Sequence, residues 1–224
     1  MATYLLVHGA CWAGVCWNQV AALLQGQRHT VFTPTLTGLG ERAHLASPAI
    51  DLDTHIADIV GVLEYYDLRQ VVLVGHSYGG MVVTGAADHC SDRVAQLVFV
   101  DGHAPKDGES VKDMQLDSSD WDPWIESMRT EGDGWRIPRE PDWSPFMRPH
   151  PLKTFTQPIA LKNEKVTAML PRTFVFCTAP RHPAIIRSAE RARSQGWRYY
   201  ELPTGHMAML TMPKELADIL LELA

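Results

Sequence analysis

Val71-Val72-Leu73-Val74-Gly75-His76-Ser77-Tyr78-Gly79-Gly80-Met81-Val82-Val83 is the stretch from which the fold is read. Four apolar residues predict a buried strand, Gly-x-Ser-x-Gly predicts a sharp turn, and the apolar run behind it predicts a helix. A serine held on such a turn has a strained backbone, and side chains at the flanking positions would collide, which accounts for the glycines. The first N–H groups of the helix point to where an oxyanion would form. The plain alternative is a glycine-rich turn whose serine only caps the helix.

Outward from this turn, strand and helix patterns alternate. Short apolar runs over residues 4–8, 30–33, 71–74, 97–100, 174–177 and 197–202 predict strands. Helical spacing appears over 17–24. Ile56, Ile59, Val60 and Leu63 lie on one helix face, with Asp51 or Asp53 as N-cap. Leu216, Ile219, Leu220 and Leu223 predict a closing helix with Pro213 in its first turn. Strands that are apolar throughout and separated by helices point to an α/β fold, a mostly parallel sheet of about six strands covered on both faces. Residues 105–171 break the rhythm and hold nine of the fifteen prolines and four of the seven tryptophans. That segment is expected to be a cap insertion, about 105–170, in a single domain spanning 1–224. Trp121, Trp124, Trp135, Trp143 and Phe146 either line an apolar substrate pocket or form the cap's own small core.

Composition narrows the function. A chain of 224 residues with 46% hydrophobic content can build one substantial core. With 21% charged residues and no membrane-length apolar run, it is expected neither to span a membrane nor to be disordered. The net charge of −6 argues against nucleic acid or anionic lipid as partner. The first residues read as a strand and not as a signal peptide. Cys11, Cys16, Cys90 and Cys177 form no metal-binding spacing, so no metal is expected, and buried free thiols in a reducing, cytoplasmic compartment are.

A nucleophilic serine needs a base, and ten histidines compete. His206 lies between the last strand and the last helix, where an open α/β sheet collects its reacting groups. The order serine then histidine also suits this class. His8 is expected to brace the loop at Gly9, and His76 to pack or hydrogen-bond within the elbow. His29, His44, His55, His89, His150 and His182 read as surface or structural residues.

Residues 5–17 (LLVHGACWAGVCW), 35–42 (TLTGLGER), 71–80 (VVLVGHSYGG) and 202–217 (LPTGHMAMLTMPKELA) together resemble the α/β-hydrolase fold. More narrowly, they resemble the plant methylesterase and hydroxynitrile lyase family with its bacterial esterase relatives. The resemblance implies an intracellular, cofactor-free and often dimeric hydrolase of small molecules, with a small cap over its pocket. It implies that the backbone N–H groups of Ala10 and Tyr78 hold the oxyanion. Hydroxynitrile lyases carry a threonine where this chain has Gly9 and a lysine where it has Met207. Neither Gly9 nor Met207 can orient a substrate hydroxyl or stabilise departing cyanide, so the esterase branch is favoured.

The third member of a triad is missing from its usual place. Relatives put an aspartate just past a Cys-Thr pair, whereas this chain runs Cys177-Thr178-Ala179-Pro180-Arg181-His182. The base still needs a partner that fixes its tautomer. Asp101, at the end of a neighbouring strand, is the best substitute. It could instead cap the turn Gly102-His103-Ala104-Pro105. Glu201 is near His206 in sequence, but strand alternation turns it away, and a dyad with water as orienter stays open. The expected activity is hydrolysis of small, largely apolar esters, with carbamates or amides within reach of the same chemistry. The alternatives are a lyase-like or cofactor-free non-hydrolytic activity on the same scaffold, and a binding protein with a degenerate site.

Overall fold

Successive side chains of a strand leave on opposite faces of a sheet, so strands apolar at every position must be covered on both sides. The computed structural model describes residues 1–114, 121–138 and 144–224, and of residues 121–125 the backbone alone. In chain order β1 (Thr3–Val7), α1 (Asn18–Gly26), β2 (Thr30–Phe32), α2 (Leu52–Tyr65), β3 (Val71–His76), α3 (Gly79–His89) and β4 (Val94–Val100) alternate. Next come α4 (Trp121–Thr130), the two-residue strands β5 (Arg136–Ile137) and β6 (His150–Pro151), and the single-turn helices α5 (Lys153–Thr156) and α6 (Glu164–Thr167). β7 (Arg172–Cys177), α7 (Ile186–Ser194), β8 (Arg198–Leu202), α8 (Ala208–Thr211) and α9 (Pro213–Glu222) complete the order.

Six strands form one sheet in the order β2-β1-β3-β4-β7-β8, and every neighbouring pair is parallel. The two faces sort by residue parity. Leu5, Val7, Leu73, Leu97, Phe99, Phe174 and Phe176 pack with α2, α3 and α7 through residues such as Ile56, Ile59, Met81, Val82 and Ala189. Tyr4, Leu6, Val74, Val98, Val100 and Val175 pack with α1 and α9 through Leu24, Leu216 and Leu220. Burial of such side chains is worth about 1.5–3 kcal/mol each before the entropy of ordering them is subtracted. The chain reverses direction across the sheet between β1 and β3, so a crevice opens at the carboxyl ends of those two strands.

Several ends differ from the sequence reading. α1 begins at Asn18 because Gly14–Trp17 form a 3₁₀ turn. β4 begins at Val94, three residues before the apolar run, because half-buried Gln96 can still pair along the strand edge while its amide donates to the Leu223 carbonyl. At α2, Asp51 is the cap: its carboxylate accepts from Thr54 N–H at 3.0 Å, and its own N–H donates to Thr54 Oγ1 at 3.4 Å.

The segment between β4 and β7 is anchored to the rest. Asp88, at the end of α3, accepts from the N–H groups of Lys162 and Asn163 at 2.8 and 2.7 Å. Glu109 and Arg191 form a two-pronged ion pair at 2.7 and 2.8 Å. Val111, Met114, Met128, Ile137, Phe155 and Ile159 enter the same apolar cluster as α2 and α3.

Candidate active site

Ser77 stands on the turn between β3 and α3 with φ of 52°, in the left-handed region that costs a non-glycine residue about 1–2 kcal/mol. The turn is closed by close approach. A Cβ on Gly75 would fall 2.6 Å from Gly79 O, and one on Gly79 would fall 2.7 Å from His8 O. The neighbouring strand end holds the elbow from the other side. Ser77 N–H donates to Asp101 O at 3.2 Å, and His103 N–H donates to Ser77 O at 3.0 Å.

Asp101 is itself left-handed, φ 41°, and its side chain is fully buried. The structure brings it to His206. His206 Nδ1 lies 2.6 Å from Asp101 Oδ2, and Asp101 Oδ1 accepts from Cys177 N–H at 3.1 Å. These bonds run across the sheet edge, from Cys177 on the adjacent strand and from His206 after β8. Because a carboxylate only accepts, a neutral His206 carries its proton on Nδ1 and keeps the Nε2 lone pair free. Glu201 is exposed and paired with Arg193 on the surface, as the alternation of β8 requires.

Two more histidines flank His206. The ring of His76 lies 4.6 Å from it and that of His182 4.2 Å, centroid to centroid. His76 Nε2–H donates to the His206 carbonyl at 2.9 Å, which ties the loop of the base to the residue before the nucleophile. His76 is held neutral, its pKa pushed well below the usual histidine value first by burial and then by the adjacent His206.

The turn after β1 lies against the elbow: a Cβ on Gly9 would fall 2.8 Å from Ser77 Cβ and 2.8 Å from His76 Nδ1. A threonine at this position would therefore require the elbow to move. His8, buried, donates from Nδ1 to Gly9 O at 2.8 Å and accepts Leu36 N–H on Nε2 at 3.1 Å. Burial lowers its pKa to about 4. In a trans peptide the carbonyl and the next N–H point opposite ways, so pinning Gly9 O also sets the direction of Ala10 N–H. Among the described hydrogen bonds, the N–H groups of Ala10 and Tyr78 have no protein acceptor.

The 35–42 stretch is fastened to α2. Thr37 donates from N and Oγ1 to Asp58 at 2.6 and 2.7 Å, and Arg42 joins the same carboxylate at 3.1 Å. His55 Nε2–H donates to Thr37 O at 2.9 Å, so its Nδ1 accepts from the Tyr78 hydroxyl at 2.9 Å. Sequence reasoning placed His55 and His150 with the background histidines. Nothing in their neighbours or their spacing shows that they are buried or that they meet. Of the aromatic candidates, Trp135 is half-buried with the Arg136 guanidinium over its ring, and Phe146 is 56% exposed. The exposure of Phe146 leaves it unsuited to an apolar pocket wall. Trp143 and the side chains of Trp121 and Trp124 lie outside the described residues. Among the described residues, no cluster of His, Cys, Asp and Glu could hold a metal ion, and no helix is long and apolar enough to cross a membrane.

The chain belongs to the alpha/beta hydrolase family, whose profile matches residues 4–219. It is 34% identical to the carbendazim hydrolyzing esterase of Nocardioides sp. (strain SG-4G), an alignment covering 97% of this chain and 98% of that one. It is 27% identical to methylesterase 2 of Arabidopsis thaliana, over 99% of this chain and 95% of the relative. Among solved structures, an extracellular α/β-hydrolase from a Paenibacillus species superposes with a TM-score of 0.81 at 23% identity, covering 99% and 98% of the two chains. The protein is thus an enzyme, a hydrolase of the carboxylesterase type.

Proposed function

We propose that the protein hydrolyses small, largely apolar carboxylic esters through an acyl-enzyme on Ser77, with aryl carbamates and amides as further substrates of the same site. The observation that carries this reading is the 2.6 Å contact between His206 and the buried Asp101, on the sheet edge that also holds Ser77. Ser77 Oγ attacks the carbonyl carbon while His206 Nε2 takes its proton. The carbonyl oxygen becomes an oxyanion held by the N–H groups of Ala10 and Tyr78. Collapse of the intermediate expels the alcohol, which takes the proton back from His206. Water then repeats the sequence on the acyl-enzyme and frees the acid. Asp101 keeps the His206 proton on Nδ1 and stabilises the imidazolium that forms. That Ala10 and Tyr78 N–H have no acceptor among the described residues supports their assignment, since donors kept open for a transient anion need no reorganisation when it forms.

The segment 105–170 then serves as a cap that excludes water from the acyl-enzyme. Four unpaired, buried cysteines suit a reducing, cytoplasmic compartment. The carbendazim-hydrolyzing relative motivates including carbendazim in the substrate panel. The deciding experiment is labelling by a fluorophosphonate, followed by turnover of p-nitrophenyl esters, methyl esters, aryl carbamates and mandelonitrile. Labelling confined to Ser77 with ester turnover is expected. An unlabelled Ser77 in folded protein would remove the proposal, and rapid cyanide release from mandelonitrile would replace it with a lyase. Light scattering tests the dimer that the family resemblance implies.

A further inference from the structure

The turn that carries Ala10 is held from the far side by a part of the chain remote from it in sequence. Cys11 N–H donates to His150 Nδ1 at 3.2 Å, and Cys11 O accepts from Arg148 N–H at 2.8 Å. Cys11 has φ of 64°, a conformation that a non-glycine residue keeps only when its surroundings impose it. The ring of His150 is fully buried and committed to one tautomer. Thr154 Oγ1 gives its proton to Pro151 O at 2.7 Å, so at 2.8 Å from His150 Nε2 it can only accept. His150 therefore carries its proton on Nε2 and offers the Nδ1 lone pair to Cys11. Burial, then the nearby His55 and His8, hold it neutral, its pKa well below the usual histidine value. The same ring stands edge-on to Tyr78, with centroids 5.1 Å apart, and Tyr78 is fixed at its other end by the hydroxyl donated to His55. One histidine thus touches both residues whose N–H groups form the oxyanion hole, or their immediate neighbours.

We propose that His150, set by Thr154, is a positioning residue that holds the Ala10–Cys11 turn and the Tyr78 ring so that their two N–H groups converge on the oxyanion. This rests on the esterase reading above. The segment 105–170 then does more than cover the pocket: through residues 148–154 it completes the geometry of a hole whose donors lie elsewhere in the chain. The donors act only on the charge that develops in the transition state, so loosening the turn should lower kcat and spare KM.

The test compares wild type with His150→Phe, which keeps an aromatic ring against Tyr78 and Phe155 but removes the acceptor, and with His150→Asn, which returns an acceptor near the Nδ1 position. Each is assayed for kcat, KM and inhibition by an aryl trifluoromethyl ketone. Ser77 Oγ adds to the ketone carbon, its proton passes to His206 Nε2 and the carbonyl electrons move to oxygen, so the adduct needs the same hole. His150→Phe should lose roughly 10–10²-fold in kcat and a matching factor in ketone affinity, with KM nearly constant. His150→Asn should recover part of both. Because His150→Phe can fail to fold, Thr154→Val and Thr154→Ser form a second pair. The valine leaves the buried Nε2–H of His150 without its acceptor and should lose several-fold in kcat, and the serine, which restores a hydroxyl, should recover it. Titration with a fluorophosphonate corrects every rate for the fraction of competent sites. If the corrected kcat and ketone affinity of His150→Phe equal those of wild type, or if Thr154→Val and Thr154→Ser behave alike, the proposal is overturned. If wild type itself is not labelled at Ser77, it is the esterase reading that falls.

Discussion

Two strand ends on one sheet edge compete to supply the partner of His206. After β7 the chain runs Thr178-Ala179-Pro180-Arg181-His182, with residues 179–182 exposed and no carboxylate among them. After β4 it turns at once through Asp101, Gly102 and His103, all buried, with Asp101 tied by backbone to Val175 at 2.7 Å and to Ser77 at 3.2 Å. An acid that must orient an imidazole has to be immobile and shielded from water, and the β4 end offers both. The β7 end contributes a ring tilted against His206, that of His182, and a backbone donor, Cys177 N–H, that helps hold the Asp101 carboxylate. The difference shows that a buried, immobile carboxylate reaches His206 from the end of β4, where the end of β7 offers none.

The widest break in this comparison comes from its common target. Ser77→Ala should lower kcat by at least ~10⁴-fold on any ester with little loss of stability, since no acyl-enzyme can form. Burst and steady-state assays at matched protein concentration check this, and residual activity above a tenth of wild type would remove Ser77 from the mechanism. Asp101→Asn is the next largest: kcat should fall roughly 10²–10⁴-fold with KM nearly unchanged, because the missing charge stabilises the imidazolium only in the transition state. A variant that merely melts a few degrees lower and keeps its kcat would return Asp101 to a structural role.

The buried ends of β1 and β4 also carry an acid-stability signature. His8 and His103 are held neutral by burial, with pKa lowered to about 4 and about 3. Once unfolded, they would take up protons near pH ~6.5. Between those values the unfolded chain binds more protons, so stability falls as pH falls from about 6.5 toward 4. His8 alone accounts for about 3 kcal/mol at the lower end, at ~1.4 kcal/mol per pKa unit. Urea midpoints should drop steeply across that window, and a midpoint flat from pH 7 to 4.5 would contradict the neutral assignment. The smallest effect belongs to the exposed end. His182→Ala removes a ring that only leans against that of His206, and kcat should change less than ~10-fold. A loss as large as that of Asp101→Asn would move the essential partner to the β7 side.

Much of this was legible in the residues themselves. The elbow at Gly75–Gly79, the apolar inner strands and His206 after the last strand are local patterns, because burial on both faces of the inner strands and the crowding of a strand-to-helix turn restrict residue type position by position. The gap at Pro180 was equally visible, since an absent carboxylate can be read directly. What filled the gap was not: Asp101 and His206 are 105 residues apart, and only the pairing of β4 with β7 and of β7 with β8 brings them within 2.6 Å. The same holds for His55 and His150: nothing in their spacing shows that one bonds the Tyr78 hydroxyl and the other stands edge-on to its ring. Sequence by itself determined which groups could do chemistry and which strand ends they follow. The tertiary structure decided which of them touch, because strand register and helix packing set contact distances that no spacing along the chain encodes.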